Sequence, residues 1–353
     1  MNKDYARFVS GSPADREDIF RAAGQRIGTP LQNIEKDFWV CWTLDALFNN
    51  ANASEPRLLF KGGTSLSKGF GLIERFSEDI DVTVFRDDIG EEASVSELQA
   101  LSGKKRQAKL DAIKAACQDY IGGPLLAQLS DALAKLLQGS GVEDEKARVE
   151  LDTDDESLQS LLLWYPTVTD EADGYVRKAV KIESGAKSAL DPHHDHIVEP
   201  YLAEELPDLD FKIPNVRIVD AERTMWDKIV ILHGLRQWFE TRGVLRAGGQ
   251  RVSRHYYDVH MLMKRGTADA ALADPELGED CVDHARMFFN SPALGLGLAV
   301  PGNFTLLPTK PMIEALTRDY DAMAGMIFGE TPAFADVLES VAALESQLNK
   351  AVA

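Results

Sequence analysis

Two aspartates separated by one residue, Asp79 and Asp81 in SEDIDV (Ser77–Val82), are the side chains best placed for chemistry. Alternate residues of a strand point to one face. Two carboxylates so arranged could bridge a pair of divalent cations about 3.5–4 Å apart, a geometry suited to phosphoryl or nucleotidyl transfer. Magnesium takes oxygen ligands and keeps water and substrate phosphates in its shell. Two ions, magnesium or manganese, are therefore expected, and a third carboxylate would complete their site. Upstream lies KGGTSLSKGF (Lys61–Phe70). Its glycines, Gly62 and Gly63, let backbone N–H groups approach a ligand, and a helix start favours phosphate oxygens. Thr64 and Ser65 add hydroxyl donors, and Lys61 opens the segment. Walker A spacing is absent. Downstream, AVKIES puts Lys181 and Glu183 on one strand face. One could complete the metal site while the other contacts phosphate.

Each piece also has a bland reading. A D-x-D pair is common on solvated strands, Gly-Gly after a strand is usually a turn, and Glu183 could simply pair with Lys181. Their order along the chain is what favours chemistry. Asp79-Ile80-Asp81-Val82-Thr83 also fits the start of a haloacid-dehalogenase phosphatase. There the nucleophile ends a hydrophobic strand, whereas Arg75-Phe76-Ser77-Glu78 precedes it here, and the Gly-Gly segment would be unexplained.

The elements that must position these residues can be read from periodicity. Pro13–Asn49 reads as two helices, the second starting at Pro30 or Asn33. Arg57–Lys61 reads as a strand closed by a tight Gly-Gly turn, with TSLSKGFGLI a helix leaving it. Ile80, Val82 and Val84 alternate with Asp79, Asp81 and Thr83, a strand period. Glu91–Leu137 is expected to be helical and Glu143–Glu156 a solvated loop or helix face. Leu161–Val168 and Tyr175–Glu183 form a hairpin around DEADG. The only dense histidine cluster, His193, His194 and His196 with Asp195, falls in a stretch expected to be an irregular, solvated loop. Val216–Val219 is a last strand, and the remainder is mainly helical. The expected fold class is α+β, a mixed sheet with flanking helices plus a helical C-terminal half. The expected domains are 1–215, with a helical insertion near 91–156, and 216–353.

The chain has 353 residues, 44% of them hydrophobic, and a formal net charge of −19. That charge repels nucleic acid at long range, so an RNA substrate would need a local basic patch. Cys41, Cys117 and Cys281 have neither metal nor redox spacing. With no apolar signal core or membrane-length apolar run, a cytoplasmic setting away from membranes is expected.

The ordered motifs resemble nucleotidyltransferases of the DNA polymerase beta type. Within that superfamily the chain is similar to the AbiEii/AbiGii toxin family, the toxin halves of type IV abortive-infection toxin–antitoxin pairs. The likeness runs to about residue 265. It is carried by IEKDFWVCWTLDALF (Ile34–Phe48), LLFKGGTSLSKGF (Leu58–Phe70), ERFSEDIDV (Glu74–Val82), AERTMWDKIVILHG (Ala221–Gly234) and SRHYYDVHML (Ser253–Leu262). The resemblance implies a minimal nucleotidyltransferase core. In it Gly62–Ser65 would hold a nucleoside triphosphate, Asp79 and Asp81 magnesium, and Glu183 the third acidic position. It also implies that Asp227 and Lys228 match a helix motif near the nucleotide. The implied partners are the triphosphate, a tRNA acceptor and an antitoxin encoded nearby. The alternatives are a nucleotidyltransferase acting on a protein or small molecule and a non-catalytic nucleotide-binding module.

From the residues alone, DAERTMWDKIVILHG is a helix that Asp220 could cap. Arg223 and Asp227 are spaced to pair. In RHYYDVHML, Arg254 and Asp258 could pair likewise, and Tyr257 and Met261 are core candidates. His255 and His260 do not share a helix face, which excludes a helical zinc pair.

Overall fold

The computed structural model describes residues 2–50, 55–142, 147–169, 177–246, 251–289 and 291–350. The class is mixed α+β: a central sheet flanked by helices, and a helical C-terminal half. The chain divides into two compact units. One comprises Met1–Gly69, Phe76–Ala93 and Gly103–Val219; the other comprises Phe70–Arg75, Ser94–Ser102 and Asp220–Ala353.

The first unit holds the sheet. Among the described residues its strands are β1 (Leu58–Lys61), β2 (Ile80–Val84), β3 (Arg148–Leu151), β4 (Ser160–Trp164), β5 (Ala179–Gly185), β6 (His193–Val198) and β7 (Ile213–Val219), in the order β3-β4-β5-β2-β1-β7-β6. β1 runs parallel to β7 and β2 parallel to β5; the other neighbours are antiparallel. Two strands depart from the sequence expectation. Arg148–Leu151 is not a loop or helix face but an edge strand, because Val149 and Leu151 alternate with charged residues and pair with β4. The histidine run is not irregular: His193–Val198 is the opposite edge, recruited by pairing with β7. The proposed DEADG turn, Tyr175 and residues 143–146 lie outside the described residues.

Helices α1 (Lys3–Val9), α2 (Pro13–Ile27) and α3 (Leu31–Phe48) precede the sheet. The short α1 is not evident from periodicity. Helix α2 has a Ser12 cap that accepts from Asp15 N–H, a proline at its start, and Gly28 in the left-handed region at its end. Helix α3 starts directly after Pro30 and is buried from Asn33 to Leu47. Trp39 stacks on Tyr165 with ring centroids 5.3 Å apart, and Tyr5, Phe8, Phe20, Phe38 and Phe211 form one aromatic cluster. Helix α4 (Gly62–Lys68) follows β1. The helical tract expected at Glu91–Leu137 is broken into α5 (Val95–Ala100), α6 (Gly103–Tyr120), a π turn at Ile121–Leu125 and α7 (Leu126–Ser140). Pro124 lacks an N–H, and the π turn absorbs its missing bond.

The second unit is built on α8 (Ala221–Arg242), α9 (Ser253–Lys264), α10 (Thr267–Leu272), α11 (Pro275–Phe288), α12 (Lys310–Met323) and α13 (Phe334–Lys350). Helix α8 packs against α9, α10 and α11, and α9 against α12 and α13. Asp220 stands at the cap position of α8 but makes no side-chain cap bond.

Candidate active site

Three adjacent strands of the first unit carry a row of charges. Lys61 on β1 lies opposite Asp81 on β2, and Asp81 lies beside Glu183 on β5. Residues in register across a sheet share a face. Asp79 is the residue before β2, and the strand period extended by one residue would put it on the same face. Asp79 and Asp81 are half-buried, whereas Ile80 and Val82 between and after them are fully buried. The apolar partners thus anchor the strand and leave the carboxylates on its other side.

Asp81 stands directly against Gly62. No separate turn joins β1 to α4; the Gly-Gly pair is the first turn of the helix. Gly62 has φ +82°, and a Cβ there would lie 2.9 Å from Cγ of Asp81. Glycine is thus required twice, for backbone angle and for room. Thr64 and Ser65, expected as outward donors, are buried instead. The Thr64 hydroxyl donates to the Asp79 carbonyl and lies 2.7 Å from Ser77 Oγ, while Ser65 Oγ donates to the Gly62 carbonyl at 2.9 Å. Their hydroxyls brace the site from within. The first-turn N–H groups of α4 have no carbonyl partner inside the helix.

Lys181 and Glu183 pair as their spacing allows. Lys181 Nζ is 3.0 Å from Glu183 Oε1 and 3.4 Å from Asp152 Oδ2. Burial works against the lysine charge, but Glu183 and Asp152 outweigh it and raise its pKa. Among the described residues no three acid, imidazole or thiol groups converge as a preformed metal cage. The hard oxygen donors of Asp79, Asp81 and Glu183 nevertheless suit magnesium. That ion is usually held by one or two carboxylates together with substrate phosphates rather than by a cage of protein ligands.

In the second unit, Lys228 is 5% exposed and its ammonium lies 2.7 Å from Asp258 Oδ2. Arg75 completes the cluster, with Nε 2.8 Å from Asp258 Oδ1. Burial alone would raise the Asp258 pKa, but the two cations hold it well below the carboxylate range; burial lowers that of Lys228. Asp258 therefore pairs with Lys228 and Arg75, not in the simple i,i+4 pair with Arg254 that its spacing suggested. Asp227 is half-exposed, 3.5 Å from Arg223 Nε, and Arg223 also bonds Asp280. Tyr257 and Met261 are buried as expected.

Sequence reasoning missed Lys36, Asp37, Lys68 and Arg75 as ionic partners. The signal available was charge inside otherwise apolar runs, most visibly Glu35-Lys36-Asp37 in α3.

A mixed sheet bearing an acidic row beside a glycine-started helix is the arrangement a nucleotidyltransferase core would require. The chain belongs to the AbiEii family: residues 45–340 match its model, described as the nucleotidyl transferase AbiEii toxin of type IV toxin–antitoxin systems. It is accordingly a nucleotidyltransferase. No curated protein matches it in sequence. Among solved structures, MenT4, a nucleotidyltransferase toxin from Mycobacterium tuberculosis H37Rv, aligns with a TM-score of 0.40 and 14% identity, over 96% of this chain and 99% of that one.

Proposed function

We propose that the chain transfers a nucleoside monophosphate from a bound triphosphate to the hydroxyl of a tRNA acceptor, and that this is its toxic activity. The observation that carries this reading is the row Lys61–Asp81–Glu183 standing beside Gly62. The first-turn N–H groups of α4 bind the triphosphate, with Lys61 adjacent. Asp79 and Asp81 would hold the magnesium ions, and Glu183 the acceptor-side one. When bound, the metal supplies charge neutralisation at the reacting phosphate. The acceptor oxygen attacks the α-phosphorus in line, the bond from that phosphorus to the β-phosphate oxygen breaks, and pyrophosphate leaves. Glu183 takes the proton of the acceptor hydroxyl on its carboxylate, and Lys181 steadies that carboxylate while adding positive charge. Asp227 and Lys228 are assigned to the nucleotide by family likeness alone, since the Lys228 ammonium already serves Asp258.

The antitoxin of such a pair is a proposed partner. A cytoplasmic setting is supported by three free, buried cysteines, and no described helix is long and apolar enough to cross a membrane. The charge of −19 favours comparing acceptors, because it opposes a polyanion.

The test incubates the protein with each α-32P-labelled nucleoside triphosphate and magnesium, with total tRNA, total protein or small-molecule extract as acceptor. Label should enter tRNA. Asp81→Ala should lose transfer by at least about a hundredfold, in the range of a lost transition-state contact, with an unchanged melting temperature. Full activity in Asp81→Ala would overturn the site; label confined to protein or small molecules would overturn the acceptor.

A further inference from the structure

Helix α3 buries three consecutive charged residues, Glu35, Lys36 and Asp37, each no more than 3% exposed. Successive helical residues project about 100° apart, so each reaches a different segment of the first unit. Glu35 accepts from the Val168 N–H at 2.7 Å and from the Thr167 hydroxyl at 2.7 Å. Lys36 Nζ donates to Glu78 Oε2 at 2.6 Å and to the Arg177 carbonyl at 3.1 Å. Asp37 meets Lys68 Nζ at 2.5 Å and accepts from the Tyr201 N–H at 2.7 Å. Lys68 also lies over the Tyr201 ring, 3.4 Å from its centroid.

The far ends of these bonds are not scattered. Glu78 is the residue before Asp79, and Arg177 lies two residues before β5, the strand that carries Glu183. One ammonium therefore ties together the starts of the two parallel strands that bear the carboxylates. Lys68 is the last residue of α4, the helix that begins at Gly62. Stability alone does not account for such pairs. Replacing a buried ion pair by well-packed apolar residues is often neutral or stabilising, whereas breaking one partner is costly. What a buried pair does supply is a fixed distance between two backbone segments.

We propose that Lys36 and Asp37 are positioning residues for nucleotide transfer: Lys36, through Glu78 and Arg177, sets Asp79 and Asp81 against Glu183, and Asp37, through Lys68, sets α4. This rests on the assignment of those residues to the nucleotide site. The two pairs then fail differently. Loss of the Lys36 tie displaces carboxylates from the reacting phosphate and lowers kcat. Loss of the Asp37 tie loosens the helix that receives the triphosphate and weakens its binding.

The experiment uses the full chain in two double variants, Lys36→Met/Glu78→Leu and Asp37→Leu/Lys68→Met, which remove both charges of a pair. Melting temperature, equilibrium dialysis of α-32P-labelled triphosphate in magnesium, and transfer kinetics are measured together. The first variant should melt near the wild type and bind triphosphate within about threefold, yet lose kcat by about a hundredfold, as expected for misplacement on the order of 1 Å. The second should bind triphosphate at least about tenfold more weakly. Dialysis needs no acceptor and reads that arm directly. Single Glu78→Gln keeps the reach and a hydrogen bond to Lys36, so it should hold kcat within about threefold of wild type where Glu78→Leu does not.

A Lys36→Met/Glu78→Leu protein with wild-type kcat would overturn the proposal, as would Glu78→Gln being as inactive as Glu78→Leu. If the first double variant fails to fold, the Glu78→Gln comparison still decides the Lys36 role. If the second does, the single variant Asp37→Asn decides the other: it keeps a hydrogen bond to Lys68 and should bind triphosphate within about threefold of wild type where Asp37→Leu does not. Wild-type triphosphate binding by Asp37→Leu/Lys68→Met or by Asp37→Leu would overturn the Asp37 role. Asp81→Ala run alongside separates the two levels: its full activity sinks the site assignment, whereas its inactivity beside an active Lys36 variant sinks only the positioning role.

Discussion

Asp81 and Gly62 are best understood together. The carboxylate occupies the space a side chain at position 62 would need, and the backbone there lies in the left-handed region. Gly62→Ala should therefore push Asp81 aside and strain the start of α4. The expected result is a loss of transfer of at least tenfold for a destabilisation of about 1 kcal/mol or more, measured by kinetics and urea unfolding of the same preparation. Transfer at the wild-type rate would show that the contact has no bearing on the reaction. The Gly-Gly pair was legible in the sequence as a place where the backbone bends after a strand; the reason for Gly62 in particular, room for Asp81, was not. Nor was the fate of Thr64 and Ser65, whose hydroxyls turn inward because the helix begins at once after β1. Lys228 teaches the same lesson. Its place in a helix motif was readable, but its pairing with Asp258, thirty residues on, a carboxylate it shares with Arg75, depends on packing.

Among the elements, the inner strands bearing the acidic row announced themselves and the edge strands did not. In β2 the apolar residues alternate with aspartates because one face is buried, so the period of two is written in the sequence. The residues of β6, HHDHIV, have no such alternation, and their strand state comes from the hydrogen bonds of β7. The turn between β3 and β4 is held by Asp155, which accepts from the hydroxyls of Ser160 and Ser157 and from the N–H groups of Ser157 and Gln159. Burial works against its charge, but these donors outweigh it and bring the pKa down to about 2. A carboxylate with a depressed folded pKa contributes stability that is present above its unfolded value, about 3.9, and is lost as pH falls through the folded value. The stability gap between wild type and Asp155→Asn should thus be constant above about pH 5 and narrow below about pH 4. Urea unfolding across pH 3–7 checks it, and a gap that widens on acidification would refute this account of the turn.

For the whole molecule, the net charge of −19 sets a general repulsion on which the local ion pairs are superimposed. The Debye length shrinks from about 30 Å at 0.01 M salt to about 8 Å at 0.15 M, so long-range repulsion is screened while buried pairs such as Lys36–Glu78 are hardly affected. The melting temperature should therefore rise over that range of sodium chloride. A fall would mean that exposed ion pairs outweigh the net repulsion. What the sequence by itself determined is the α+β class, the acidic strand with a helix following the strand before it, and the family to which they belong. These follow from short-range order: alternation, turn residues and motif spacing all act within a few residues. Only the tertiary structure decided that Asp81 fills the space beside Gly62, that Asp81 and Glu183 share a register, and that Lys36 ties their two strands together. Those relations join residues far apart in the chain. They are set by strand pairing and by the need of every buried charge for a partner, which local sequence pattern cannot specify.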